Sequence, residues 1–218
     1  MDRLQFLTPK FSIPITLPSL VFIIAMLSAS LSYAQESDKN DTLRVDLDLD
    51  RKVDTVILDR AGGILICKLS TQYYKEIRSP ELSAEGSNTH IRESGDGFTF
   101  SAPEMRSGYH MDFKYNRIVK RVQLVAMDRY EFGPASNDGS GESSVDLLTN
   151  VYQGDWNYLD MKRLKLIKMP TINRKMVFPK TYLDNLDDAI VYRYSEQCAA
   201  IYHEEKAKNI AARSKKKH

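Results

Sequence analysis

From Leu43 the chain alternates. Leu43, Val45, Leu47 and Leu49 fall on one side, Arg44, Asp46 and Asp48 on the other. A period of two marks a strand with one face in the core and one in water. The pattern predicts strands over 43–49, 53–58 and 64–70, the last two joined by Asp59-Arg60-Ala61-Gly62-Gly63. Paired glycines supply the positive φ angles that a hairpin turn needs. Residues 73–79 read as a short strand stopped by Pro80, and 81–95, poor in apolar side chains, as a surface loop. Alternation resumes over 97–101, 110–115 and 121–130. Residues 134–144 read as a long loop, 145–151 as a strand, and Gln153-Gly154-Asp155 as a turn. The last strands fall at 164–169 and 175–178. From Tyr194 the period changes. Tyr194, Cys198, Ile201 and Tyr202 are spaced i, i+4, i+7 and i+8, one face of a helix. The expected fold is mainly β: antiparallel hairpins in a sandwich, barrel or propeller-like sheet, with one C-terminal helix.

The first residues do not fit this scheme. Arg3 and Lys10 precede an apolar run over 11–31, which ends at Ser32-Tyr33-Ala34. A basic start, an apolar stretch and a small-x-small site predict a signal peptide over 1–34. An uncleaved anchor helix is the alternative, but Pro14 and Pro18 interrupt the run and no basic stop-transfer cluster follows it. The expected product is periplasmic or secreted and keeps no stable membrane anchor. It has a flexible leader over 35–42, a single mainly β domain over 43–213 and a basic tail over 214–218.

Charge is nearly balanced, with 31 Lys and Arg against 29 Asp and Glu, so nothing points to nucleic acid. Two cysteines, Cys67 and Cys198, are present. An even count in an exported protein permits a disulfide, which would stabilise by about 4–5 kcal/mol through closure of a long loop. Two buried free thiols are the alternative.

The chemistry is concentrated in Asp46-Leu47-Asp48-Leu49-Asp50-Arg51-Lys52-Val53-Asp54. Calcium takes six to eight oxygens, and short loops with Asp at positions 1, 3 and 5 supply them on a tight curl. Asp46, Asp48 and Asp50 would be the first three ligands, the Lys52 carbonyl would stand at position 7 and Asp54 at position 9. If the strand stays extended, the same carboxylates project from one face about 6–7 Å apart and form its wet side. The stretch resembles the calcium loops of FG-GAP and VCBS-type repeats, Asp-x-Asp-x-Asp-Gly-x-x-Asp followed by an apolar strand, here Asp54-Thr55-Val56-Ile57-Leu58. The resemblance implies Asp46, Asp48, Asp50 and Asp54 as ligands of Ca2+. Arg51 stands where those loops carry Gly. A looser resemblance, over 129–151, is to secreted bacterial β-proteins that include periplasmic lysozyme inhibitors. Those insert a Ser-Gly/Tyr loop into the lysozyme cleft. Arg106-Ser107-Gly108-Tyr109 and Ser140-Gly141 are the nearest counterparts.

No catalytic motif stands out. Gly139-Ser140-Gly141 lacks a full nucleophile elbow, and His90, His110 and His203 form no His-Glu-x-x-His pair. Tyr109, Tyr115, Tyr130, Tyr152, Trp156 and Tyr158 read either as a binding surface or as core. Asn137, Asp138, Ser140 and Glu142 form the best candidate contact loop for a protein partner. The expectation is a non-enzymatic exported binding protein with a structural calcium loop, an inhibitor or immunity protein against a cell-wall-lytic enzyme or toxin. A hydrolase acting on envelope polymers and a purely structural envelope protein are the alternatives.

Overall fold

The structure, a computed structural model, describes residues 40–83 and 88–215. The signal peptide expected over 1–34 lies outside the described residues, as do 35–39 of the leader, 84–87 of the 81–95 loop and 216–218 of the tail.

Two open antiparallel sheets and a long helix make up the described chain. The smaller sheet has the order β1 (Asp41–Val45), β2 (Asp54–Asp59), β3 (Ile64–Lys68), β4 (Glu76–Arg78). The larger sheet contains β5 (His90–Ser94), β6 (Gly97–Pro103), β7 (Ser107–Asn116), β8 (Arg121–Glu131), β9 (Gly141–Asp146), β10 (Val151–Asp160), β11 (Lys165–Lys168) and β12 (Ile172–Lys175). Its order is β11-β10-β9-β8-β7-β6-β5. Strands β12 and β11 share one edge of β10, pairing with Val151–Gly154 and Asn157–Asp160 in turn. The two ends of the sheet are not paired, so there is no barrel and the arrangement is sandwich-like.

Alternation builds the core. Phe98, Phe100, Met111, Phe113, Met127, Val145, Tyr152, Trp156 and Tyr158 are buried on the larger sheet. They form one cluster with Val56, Leu58, Leu65 and Leu69 of the N-terminal hairpins. Helix α1 (Ala189–Lys215) starts earlier than the period change at Tyr194 suggests. Its buried residues Ile190, Tyr194, Cys198 and Tyr202 recur every fourth position, one stripe of a helix. Beneath it, Ser143 Oγ bonds the Tyr194 hydroxyl at 2.9 Å and Trp156 Nε1 donates to the Tyr152 hydroxyl at 2.9 Å. Of the aromatics read as surface or core, Tyr152, Trp156 and Tyr158 are core, while Tyr109, Tyr115 and Tyr130 are half-buried.

Several elements differ from expectation. The first strand ends at Val45, and residues 46–52 curl instead of extending. Part of the expected 81–95 loop is strand β5, a polar edge strand whose Ile91 packs on the core. The chain does not turn at 153–155. It turns after Asp146, whose Oδ1 accepts the amides of Leu148 at 2.7 Å and Thr149 at 2.9 Å, with Asn150 at φ 60°. Gly154 lies within β10, where a Cβ would stand 2.4 Å from the Tyr152 hydroxyl and 2.6 Å from Trp156 Nε1. That glycine makes room for an aromatic pair and does not bend the chain.

Of the two readings of the cysteines, the structure has the free thiols and not the disulfide: Cys67 and Cys198 are both free and buried. Both face inward, as their periodicities predict, but under different elements. Cys67 belongs to β3 of the smaller sheet. Cys198 hangs from α1 over the larger sheet, with Sγ 3.4 Å from Ser143 Oγ of β9.

Candidate metal centre

The Asp-rich stretch is a loop between β1 and β2. The extended reading, with three carboxylates on the wet face of a strand, is thereby overturned. Two residues in the left-handed region curl the chain, Leu49 at φ 60° and Arg51 at φ 69°. Arg51 thus makes a turn in a conformation that favours glycine, at a steric cost of about 1–2 kcal/mol.

The carboxylates hold the curl from inside. Asp46 Oδ1 accepts the Asp50 amide at 3.0 Å and its Oδ2 the Arg51 amide at 2.9 Å. Asp50 Oδ1 accepts the Lys52 amide at 2.8 Å, and its Oδ2 the Ser70 hydroxyl at 2.7 Å. The Thr71 hydroxyl donates to Asp48 Oδ2. Ser70 and Thr71 reach the loop from the short 3-10 turn after β3. Ligand oxygens of Asp46, Asp48 and Asp50 lie within 4.8 Å of one another. Each carboxylate oxygen has a second lone pair beyond the hydrogen bond it accepts. The donor set, hard oxygens on a tight curl, could hold a hard metal ion.

Asp54 plays a different part from its three neighbours. It is fully buried at the start of β2. Its Oδ2 accepts the amides of Leu47 at 2.8 Å and Asp48 at 3.3 Å, and its Oδ1 the Ser70 amide at 2.7 Å. It ties both ends of the loop to the following turn and stands outside the three-carboxylate group. Burial pushes its carboxyl above the usual range, against the pull of the Ser70 and Leu47 amides. The Ser70 hydroxyl, together with the Lys52 amide and ammonium, holds Asp50 below that range. Lys52 is exposed, with Nζ 3.7 Å from Asp50 Oδ2.

The expected contact loop divides. Asp138 Oδ1 accepts the Leu159 amide at 2.7 Å and the Tyr202 hydroxyl at 3.1 Å, and Lys206 Nζ stands 2.7 Å from its Oδ2. Ser140 pairs with Asn157 through its carbonyl, at 2.8 Å from the Asn157 amide. Asn137 and Glu142 stay exposed. Arg106 braces the same loop, donating to the Gly133 carbonyl at 2.8 Å. Ser107, Gly108 and Tyr109 open strand β7 and do not form a protruding loop.

One constellation escapes sequence reasoning. Across β6, β7 and β8, Ser101 pairs with His110 and His110 with Asp128. The Ser101 hydroxyl is 2.8 Å from His110 Nδ1, and His110 Nε2 is 3.9 Å from Asp128 Oδ1. The composition is that of a catalytic triad, but Ser101 has no exposed surface and 3.9 Å exceeds a hydrogen bond. Three residues on adjacent strands at matching register would have been the only signal in the sequence.

No helix among the described residues is long and apolar enough to cross a membrane. Comparison with protein-family models, with curated proteins and with solved structures finds no match to this chain.

Proposed function

We propose that this chain is an exported, non-catalytic binding protein whose 46–54 loop takes up a structural calcium ion in the periplasm or outside the cell. The observation that carries the calcium reading is the convergence of Asp46, Asp48 and Asp50 oxygens within 4.8 Å on a curled loop. These three residues would hold the ion, and Asp54 would hold the loop. The ion would neutralise three adjacent like charges, whose one ion-pair partner among the described residues is the exposed Lys52 at 3.7 Å from Asp50.

The non-catalytic reading draws support from the buried nucleophiles. Ser101 and Cys67 have no exposed surface, and burial pushes the Cys67 thiol well up, away from the reactive thiolate. The partner is a protein in this reading, a cell-wall-lytic enzyme or toxin, met through the exposed Asn137 and Glu142. Thermal melting with calcium and with chelator tests the ion: calcium raises the melting point, and Asp50→Ala removes the rise. An unchanged melt rejects the calcium site. Inhibition assays against muramidases, with capture of a complex, test the partner; neither complex nor inhibition rejects it.

A further inference from the structure

A cavity of about 670 Å³ opens between the adjoining ends of β6, β7 and β8 and the first turns of α1. That volume suits a small organic ligand. Its walls carry three tyrosines from two elements, Tyr109 of β7 and Tyr192 and Tyr194 of α1. The Tyr194 hydroxyl is committed to Ser143 at 2.9 Å, whereas the Tyr109 hydroxyl makes no hydrogen bond among the described residues.

Two carboxylates line the same space, Glu104 and Asp188. Each has one oxygen engaged, Glu104 Oε2 by the Ser107 hydroxyl at 2.7 Å and Asp188 Oδ2 by the Ser83 amide at 2.5 Å. The other oxygen of each has no partner among the described residues. Arg129 is the one basic side chain among the described lining residues. Its charge is matched by Glu131 at 2.7 Å, and its other arm donates to Ser195 Oγ at 2.6 Å. The cavity therefore presents unused acceptors, an excess of negative charge and aromatic walls. The Tyr109 phenol is held well above its usual range, by burial first and then by the charges of Asp188 and Glu104. The same field that opposes a phenolate attracts a cation.

We propose that this cavity binds a small organic cation carrying a primary ammonium group, held by Glu104, Asp188 and the Tyr109 hydroxyl. An ammonium has three N–H donors and no acceptor. Three oxygens with spare lone pairs match it, and a carboxylate or phosphate ligand would meet repulsion. Aromatic faces add a cation–π attraction. The assignment goes beyond the protein-partner reading, at a cavity that neither Asn137 nor Glu142 lines, and its ligand class is one that amino sugars and polyamines share.

Calorimetry on the full chain tests it with glucosamine, spermidine and N-acetylglucosamine, in which the amine is neutralised as an amide. The expected result is binding of glucosamine or spermidine, whichever source the site accepts, and roughly tenfold or greater weakening for N-acetylglucosamine. Glu104→Gln, at an exposed position, should weaken amine binding by roughly tenfold or more while leaving the melting point near that of the parent. Asp188→Asn should do likewise and Tyr109→Phe somewhat less. Should Asp188→Asn disturb the Ser83 contact and fail to fold, Glu104→Gln carries the test alone. Amine binding unchanged in Glu104→Gln overturns the proposal. N-acetylglucosamine binding as tightly as glucosamine overturns the ammonium assignment but leaves a binding protein. Absence of binding by all three probes overturns the proposal, and the inhibition and capture assays then decide the binding-protein reading separately.

Discussion

Two loops in this molecule are held from inside by carboxylates and differ in charge. In the 46–54 loop, carboxylates accept backbone amides and the hydroxyls of Ser70 and Thr71, and the exposed Lys52 is their one ion-pair partner among the described residues. In the 132–140 loop, Asp138 also accepts a backbone amide and a hydroxyl, but Lys206 of α1 closes the pair at 2.7 Å. Hydrogen bonds satisfy geometry in both. The second loop also carries its own counter-charge, whereas the first gathers three carboxylates and leaves them largely unbalanced. A carboxylate can be fully hydrogen-bonded and still lack a cation, and that distinction separates a loop that fastens the fold from one that fits an ion.

The largest expected effect breaks the first loop from within. Asp54→Ala strands the amides of Leu47, Asp48 and Ser70, which Asp54 accepts in a buried setting. An unsatisfied buried donor costs about 1–3 kcal/mol, so urea denaturation should show a loss of roughly 3 kcal/mol or more. A loss below about 1 kcal/mol would mean that the loop is not organised by this residue. Calcium comes next. For an ion bound at about 10⁻⁴ M, a hundredfold excess should add about 2.7 kcal/mol. Asp50→Ala should abolish that gain and Asp138→Ala should keep it. A calcium response lost in Asp138→Ala instead would reverse the contrast between the loops.

The contrast was partly legible in the chain. The Asp spacing was visible because ligand positions on a curl sit two residues apart, β2 because one of its faces is buried, and β3 because it is a short apolar run after a paired-glycine turn. Ser70 and Thr71 were not visible as partners, since a hairpin must return before they meet Asp50 and Asp48. Arg51 argued against a tight turn by the glycine rule, yet its φ of 69° makes that turn. Gly154 was misread because glycine serves both turns and close approaches, and only the Tyr152 and Trp156 side chains decide which. Strand β5 was missed because an edge strand with little apolar surface looks like a loop. The cavity was invisible, since Asp188 stands far along the chain from the β6–β7 hairpin that carries Glu104 and Tyr109.

Smaller effects sharpen the comparison. At neutral pH, Asp138→Asn should destabilise by about 1 kcal/mol, the range of partly exposed ion pairs. Burial alone would raise the Asp138 carboxyl, but Lys206, the Leu159 amide and the Tyr202 hydroxyl outweigh it and hold it below its usual 3.8. A depressed native pKa gives stability that is present above the unfolded value and lost as pH falls through the native one. The gap between parent and Asp138→Asn should therefore close in acid, read as melting points across a pH series, and a gap independent of pH would reject the ion pair. Arg51→Gly removes a left-handed strain of about 1–2 kcal/mol but adds chain entropy to the unfolded state. The net gain should be about 0.5–1 kcal/mol, with tighter calcium binding. A loss of stability would show that the Arg51 side chain contributes more than its backbone costs.

The smallest expected effect concerns whether the two regions are joined covalently. Cys67 lies in the sheet that carries the first loop, and the negative charge of Asp54 adds to the burial that keeps its thiol protonated. Cys198 lies under α1, the helix that the second loop fastens through Lys206. A bridge between them would couple the loops, and its reduction would cost several kcal/mol. With both thiols free and buried, reductant should leave the melting point unchanged. Thiol titration should find no reactive group in the native protein and two after denaturation without reductant. A melting point that falls with reductant would mean that the regions are tied together, and that Ser143 is not the settled neighbour of Cys198.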